Sequence, residues 1–196
     1  TQVNPEKEKF WTHVLADGCR LALLWKFGGI YLDTDIISLR SMPFANFTCQ
    51  EQAGIFNNAA LGFPHKHHPF IWNCMEGFVV NIIEHVWVQQ GPQMITRVLK
   101  KWCQIDNLTA FMGTECNGIS LWITSRFYPI PYSGWEKYCI AWKKEDREQT
   151  FLATYGIHVW NFMNSSKKRN LVAGNGSLLE YDFQMYCPTS YRILIH

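Results

Sequence analysis

Apolar positions along the chain fall into two periods, one helical and one extended. Across residues 6–27, Phe10, Val14, Leu21, Leu24 and Trp25 recur at helical spacing, and Gly28-Gly29 follow where a C-cap glycine belongs. The pattern predicts one helix that stops abruptly. Ile30-Tyr31-Leu32 is then a short β-branched and aromatic run, followed by Asp33-Thr34-Asp35 and by Ile36-Ile37-Ser38-Leu39. This reads as a strand, an acidic turn and a second extended piece. Pro69 suits the first position of a helix continuing over 70–83, with Trp72, Met75, Phe78 and Val79 on its apolar face. Gly91-Pro92 opens another helix, whose buried stripe is Met94, Ile95, Val98, Leu99 and Trp102. Later segments predict a strand at 119–123, a turn-rich Tyr128-Pro129-Ile130-Pro131, a short helix near 135–142 and a strand at 154–159. Helices alternating with strands point to an α/β fold, a mixed or parallel sheet covered by helices.

Composition narrows the class. With 196 residues, 47% of them hydrophobic and 17% charged, the chain suits a single folded domain over 1–196 and lies far from the disordered corner. A net charge of +2 is spread over doublets such as Lys100-Lys101 and Lys143-Lys144 and the triplet Lys167-Lys168-Arg169. A nucleic-acid surface needs a denser basic stripe, so no nucleic-acid partner is expected. The nine Trp suit a core, and they equally suit sugars, whose C–H faces are apolar. No stretch reaches the roughly 18 apolar residues of a membrane span, and residues 1–9 carry no signal-peptide pattern.

Asn46, Asn107, Asn164 and Asn175 each begin an Asn-x-Ser/Thr acceptor. Chance composition predicts about one such pattern, so the excess favours a secretory lumen. Cys103 and Cys116 bracket a polar loop that a disulfide can close, and two buried thiols read equally well. Seven Cys leave at least one thiol unpaired within the chain.

The segment from Lys26 to Ile37, KFGGIYLDTDII, carries the chemistry. In an extended segment residues i and i+2 face the same side, which directs Asp33 and Asp35 to one point with Thr34 turned away. Adjacent carboxylates repel and a cation removes that cost; hard oxygen ligands select Mg2+ or Mn2+, with open positions that a diphosphate can fill. A bare Asp-x-Asp is more often a solvated acidic turn. Behind a helix, a glycine pair and an apolar strand it is far more specific.

On these residues the chain resembles the alpha-1,4-glycosyltransferases of the animal Golgi. The likeness runs through Ala16-Asp17-Gly18-Cys19-Arg20, the Gly-Gly-Ile-Tyr-x-Asp-x-Asp motif, Gln90-Gly91-Pro92, Phe127-Tyr128-Pro129-Ile130, His158-Val159-Trp160-Asn161 and Cys187-Pro188. It implies a GT-A type fold, a UDP-sugar donor, Mn2+ dependence with Mg2+ possible, and transfer with retention of configuration. It also implies a Golgi-lumenal, type II parent protein, membrane contact only through an anchor outside this chain, and first sheet strands lying upstream of residue 1.

Carried onto this chain, the resemblance makes Asp35 a direct metal ligand and Asp33 a contact to ribose and the metal shell. It assigns Asp17 to sugar hydroxyls and Arg20 to sugar or diphosphate oxygens, against the alternative of a surface helix ion pair. Asn58 and Gln90 join the donor set, Gln90 against the alternative of a simple Gly-Pro helix start, and His158 is the late metal ligand, against the alternative of a satisfied core histidine. Ala16 stands where relatives carry Ser, and Ala59 where they carry Gly. His65, His67 and His68 read as an exposed loop and not a metal cluster. No carboxylate announces itself as a nucleophile.

The function expected is transfer of N-acetylglucosamine in alpha-1,4 linkage to a terminal β-galactose, on a glycoprotein or glycolipid acceptor. DTDIISLR and the tail from residue 161 favour that branch of the family. FYPIP and KKWC favour the alternative, alpha-1,4-galactosyl transfer to a lactosylceramide-type glycolipid. Outside the family, strand-Asp-x-Asp also begins haloacid-dehalogenase-like phosphatases, whose later acidic pairs have no counterpart in Asp106, Asp146 and Asp182. The aromatic content alone would also serve a non-catalytic glycan-binding homologue.

Overall fold

The computed structural model describes residues 10–80, 90–166 and 172–194. The start of the first predicted helix at residues 6–9, the last three residues of the 70–83 helix and the triplet Lys167-Lys168-Arg169 lie outside the described residues. The chain forms two compact units, one of Thr1–Leu32 with Pro43–Ile123 and one of Asp33–Met42 with Thr124–His196.

In the first unit, α1 (Trp11–Phe27) ends where Gly28 adopts φ +67° and donates its N–H to the Leu24 carbonyl at 2.9 Å. That conformation favours glycine. The strands β1 (Gly29–Leu32), β3 (Phe47–Gln52), β4 (Ile55–Phe63), β5 (Glu115–Cys116) and β6 (Ile119–Trp122) form a mixed sheet in the order β1-β4-β3-β6-β5. All neighbours are antiparallel except β3 and β6. Two further helices, α2 (Pro69–Val80) and α3 (Pro92–Cys103), complete the unit. Its core gathers Leu21 and Leu24 of α1, Phe70, Ile71 and Cys74 of α2, and Met94, Ile95, Val98 and Leu99 of α3 with Phe56, Leu61 and Phe63 of β4. Each such side chain contributes about 1.5–3 kcal/mol on leaving water.

The α3 stripe is as expected, with Trp102 packed partly buried at its end. The α2 face is not. Met75 and Phe78 pack against the core, but Phe70, Ile71 and Cys74 are its buried residues, while Trp72 and Val79 are exposed. Trp72 lies against Trp25 and donates to Glu76. Cys103 and Cys116 are disulfide-bonded, tying the end of α3 to β5 across a Cα separation of 5.8 Å. The acceptor asparagines Asn107 and Asn175 are exposed in loops, each accepting a backbone N–H two residues on, whereas half-buried Asn46 donates to the Gly118 carbonyl. The side chain of Asn164 lies outside the described residues.

In the second unit, β2 (Ile36–Ser38) pairs antiparallel with β7 (Gly156–His158), with Ile36 opposite His158. The helix expected near 135–142 is a 3-10 helix at Tyr132–Cys139, shifted toward the N-terminus by the Pro131 that precedes it. The remaining helices are α4 (Lys144–Thr150), α5 (Asn161–Ser166), α6 (Leu178–Tyr186) and α7 (Pro188–Leu194). Ser177 caps α6 by accepting the Glu180 N–H at 3.2 Å, and the Glu180 carboxylate turns back to the Gly176 N–H at 2.7 Å, one residue before the cap. The Tyr191 hydroxyl donates to the same carboxylate and ties α7 to it.

Candidate functional site

The second unit brings Asp33, Asp35 and His158 together, with one ligand atom from each lying within 4.8 Å of the others. The reason differs from the extended alternation expected. Residues 33–35 form a tight turn closed by the Ile36 N–H on the Asp33 carbonyl at 3.0 Å, and the turn folds the two carboxylates toward each other. Register supplies the histidine: Ile36 faces His158 across the ribbon, and the Val159 N–H donates to the Asp35 carbonyl at 3.0 Å. His158 Nε2 then stands 3.5 Å from Asp35 Oδ1, and the Asn161 N–H donates to Asp35 Oδ2 at 3.0 Å.

His158 is 8% exposed, with the Tyr128 ring at 5.7 Å, and its Nδ1 accepts the Trp160 N–H at 3.2 Å. With Nδ1 accepting, a neutral ring carries its proton on Nε2 and faces Asp35 as a donor. A metal taken at Nε2 would require that proton on Nδ1 and would end the Trp160 contact. Two half-buried carboxylates and one imidazole nevertheless form a mixed oxygen and nitrogen donor set that fits a divalent ion of the Mn2+ type. Among the described residues this is the one group of three or more His, Cys, Asp or Glu side chains so arranged.

Nearby in this unit are two further groups to which the sequence assigned no role. The Asp182 carboxyl, 1% exposed, is pushed up to about 7 by burial, against the pull of the Arg147 charge. Burial raises the Tyr138 phenol, and the charges of Asp182 and Asp35 raise it further. Asp182 sits in a helix with ordinary spacing, so no local pattern marked it.

The first unit holds the predicted donor residues Asp17, Arg20 and Asn58 in one cluster. Asp17 and Arg20, three apart on α1, pair at 3.3 Å, and Asn58 Nδ2 donates to Asp17 Oδ1 at 2.8 Å. The pair is not a surface one: Asp17 is 8% and Arg20 7% exposed, and Arg20 also lies 5.1 Å from the Tyr31 ring centroid. Burial raises the Asp17 carboxyl, with Arg20, Asn58 and His13 pulling the other way. Gln90 is buried and leads into Gly91, the residue before α3. A side chain at Gly91 would place its Cβ 3.0 Å from Asn58 Oδ1 and 3.1 Å from Asp17 Oδ2. The glycine of Gln-Gly-Pro therefore makes room for the cluster, a role its helix-start reading did not reveal. Ala59 lies within β4, outside the left-handed region, so it carries no strain in place of a glycine.

His65 and His67 are exposed and His68 half-buried. The rings of His67 and Trp25 lie 4.9 Å apart, and His68 Nδ1 accepts the Phe70 N–H as α2 begins.

The family profile described as "Alpha 1,4-glycosyltransferase conserved region" matches residues 63–194, and that described as "Glycosyltransferase sugar-binding region containing DXD motif" matches residues 2–55. The chain is 40% identical to human (Homo sapiens) alpha-1,4-N-acetylglucosaminyltransferase over 194 residues, 99% of this chain and 56% of that protein. It is 41% identical to lactosylceramide 4-alpha-galactosyltransferase of Mus musculus over 188 residues, 95% of this chain and 51% of that protein. The Pongo pygmaeus lactosylceramide 4-alpha-galactosyltransferase is 37% identical over 195 residues, covering 99% of this chain and 87% of that protein. The chain thus spans about half the length of the first two relatives. No solved structure matches it.

Proposed function

Given that the chain belongs to the alpha-1,4-glycosyltransferase family, we propose that it moves N-acetylglucosamine from a UDP-sugar, in alpha-1,4 linkage and with retention, to a terminal β-galactose. The observation that carries this reading is the Asp33, Asp35 and His158 group, built on the DXD turn itself. In the proposal these three hold Mn2+ or Mg2+, while Asp17, Arg20, Asn58 and Gln90 bind the donor in a GT-A type fold. The ion, when bound, neutralises charge on the departing diphosphate. The chain's own residues orient the donor: Asp17 is held in place by Asn58 and Arg20, and a guanidinium suits both diphosphate and sugar oxygens. Catalysis is then positioning together with leaving-group stabilisation. The sequence excess of Asn-x-Ser/Thr acceptors and the Cys103–Cys116 bridge support a secretory lumen, within which the proposal places a Golgi, type II parent protein.

Identities of 40% and 41% support the galactosyl reading equally, with a lactosylceramide-type glycolipid as acceptor. UDP release from UDP-N-acetylglucosamine and UDP-galactose, with and without a β-galactoside and with and without Mn2+, separates them. The proposal expects Mn2+-dependent, acceptor-stimulated release that is faster with the N-acetylglucosamine donor. Faster release from UDP-galactose would establish the second reading. Acceptor binding without turnover would indicate a glycan-binding homologue, and hydrolysis of phosphate monoesters a phosphatase.

A further inference from the structure

Trp160 adopts φ +56°, in the left-handed region that a bulky residue enters at a cost of order 1–3 kcal/mol. The turn it makes does two things. Its own N–H reaches His158 Nδ1, and the next residue, Asn161, presents its N–H to Asp35 Oδ2 at 3.0 Å. The side chain holds the turn in that state. The indole Nε1 donates to the Ile130 carbonyl at 2.9 Å, and the ring, 6% exposed, packs on His158, Tyr132 and Tyr128 with centroids at 4.2, 5.5 and 5.6 Å.

We propose that Trp160 is a positioning residue for Asp35: its anchored indole enforces a left-handed turn that delivers the Asn161 N–H and fixes the carboxylate for a divalent ion. The inference rests on the metal reading above. Hydrogen bonds to a ligating carboxylate set its orientation, and losing such a partner costs about 10–100-fold in metal affinity.

A series at this one position tests it. Trp160→Ala removes the anchor and leaves a residue that disfavours positive φ, so the turn relaxes. Trp160→Gly removes the same anchor but occupies the left-handed region freely. Mn2+ affinity is read by electron paramagnetic resonance on the folded protein, and hydrogen exchange of the Asn161 amide is read without metal. The expected result is a dissociation constant raised about tenfold or more in the Ala variant, partly recovered in the Gly variant, with Asn161 exchange fastest in Ala, slower in Gly and slowest in the wild type. A purely structural Trp160 would lower the melting temperature most in the Gly variant and leave Mn2+ affinity and Asn161 exchange alike in both, which overturns the proposal. If the wild-type protein takes up no Mn2+, the metal reading fails. Asn161 exchange then still decides whether the turn holds Asp35.

Discussion

Two carboxylates, Asp35 and Asp17, are solved by opposite means. Asp17 is buried with a guanidinium at 3.3 Å and an amide at 2.8 Å, so its charge is answered from within the protein. Asp35 stays half-buried beside Asp33, and among the described residues its carboxylate oxygens meet a backbone N–H and an imidazole. The first arrangement holds its carboxylate against partners that the proposal also gives to the donor, and the second sets two carboxylates and an imidazole together, as proposed for a cation. Loss of a partner is thus expected to fall first on folding at Asp17 and first on metal binding at Asp35.

The largest expected effect breaks the unbalanced side. Asp35→Asn keeps the size and the Asn161 contact but removes the charge, so Mn2+-dependent UDP release is expected to vanish while the unfolding midpoint stays close to wild type. Unchanged turnover would remove Asp35 from the metal site. On the balanced side the effect is on folding: Arg20→Ala leaves the Asp17 charge buried without its cation, which costs about 3–5 kcal/mol, measured by urea unfolding. A loss below about 1 kcal/mol, the value of an exposed pair, would make this a solvated contact.

Asp182 supplies an intermediate case, a buried carboxyl raised to about 7. Its ordinary value when unfolded is about 3.9, so the folded state holds a proton that the unfolded state releases, and stability falls as pH climbs from about 4 to 7. Between pH 5 and 7 the loss is about 2–3 kcal/mol. Asp182→Asn should remove that slope, so that unfolding curves of variant and wild type converge at low pH and separate as pH rises; parallel curves would contradict it. Smallest is Gly91→Ala, whose methyl would press on Asn58 and Asp17 oxygens and cost about 1–2 kcal/mol, read as a lowered melting temperature.

The same contrast explains what was legible in the sequence. Elements with one buried face and a marked end, α1 with Gly28 and α3 behind Gly91-Pro92, show in the apolar spacing. Strand β4, IFNNAALGF, went unread although eight of its nine positions are buried. Covered on both faces, it has no alternation, and its Asn57 and Asn58 look like loop residues until Glu51 and Asp17 satisfy them. The DXD motif drew attention to Asp33 and Asp35, but not to how they converge with His158: a turn and the β2–β7 register do that, and register is long-range. Trp160 stands in the His158-Val159-Trp160-Asn161 motif, but its left-handed conformation left no local signal, because it depends on Ile130 and three rings packed on the indole.

The most direct measurement is Mn2+ titration of the wild-type chain and of Asp35→Asn, followed by electron paramagnetic resonance. A single saturable site in the wild type that disappears in the variant, with both proteins equally folded, is the predicted result. Equal uptake by the two proteins, or none by either, would contradict a metal centre at Asp33, Asp35 and His158.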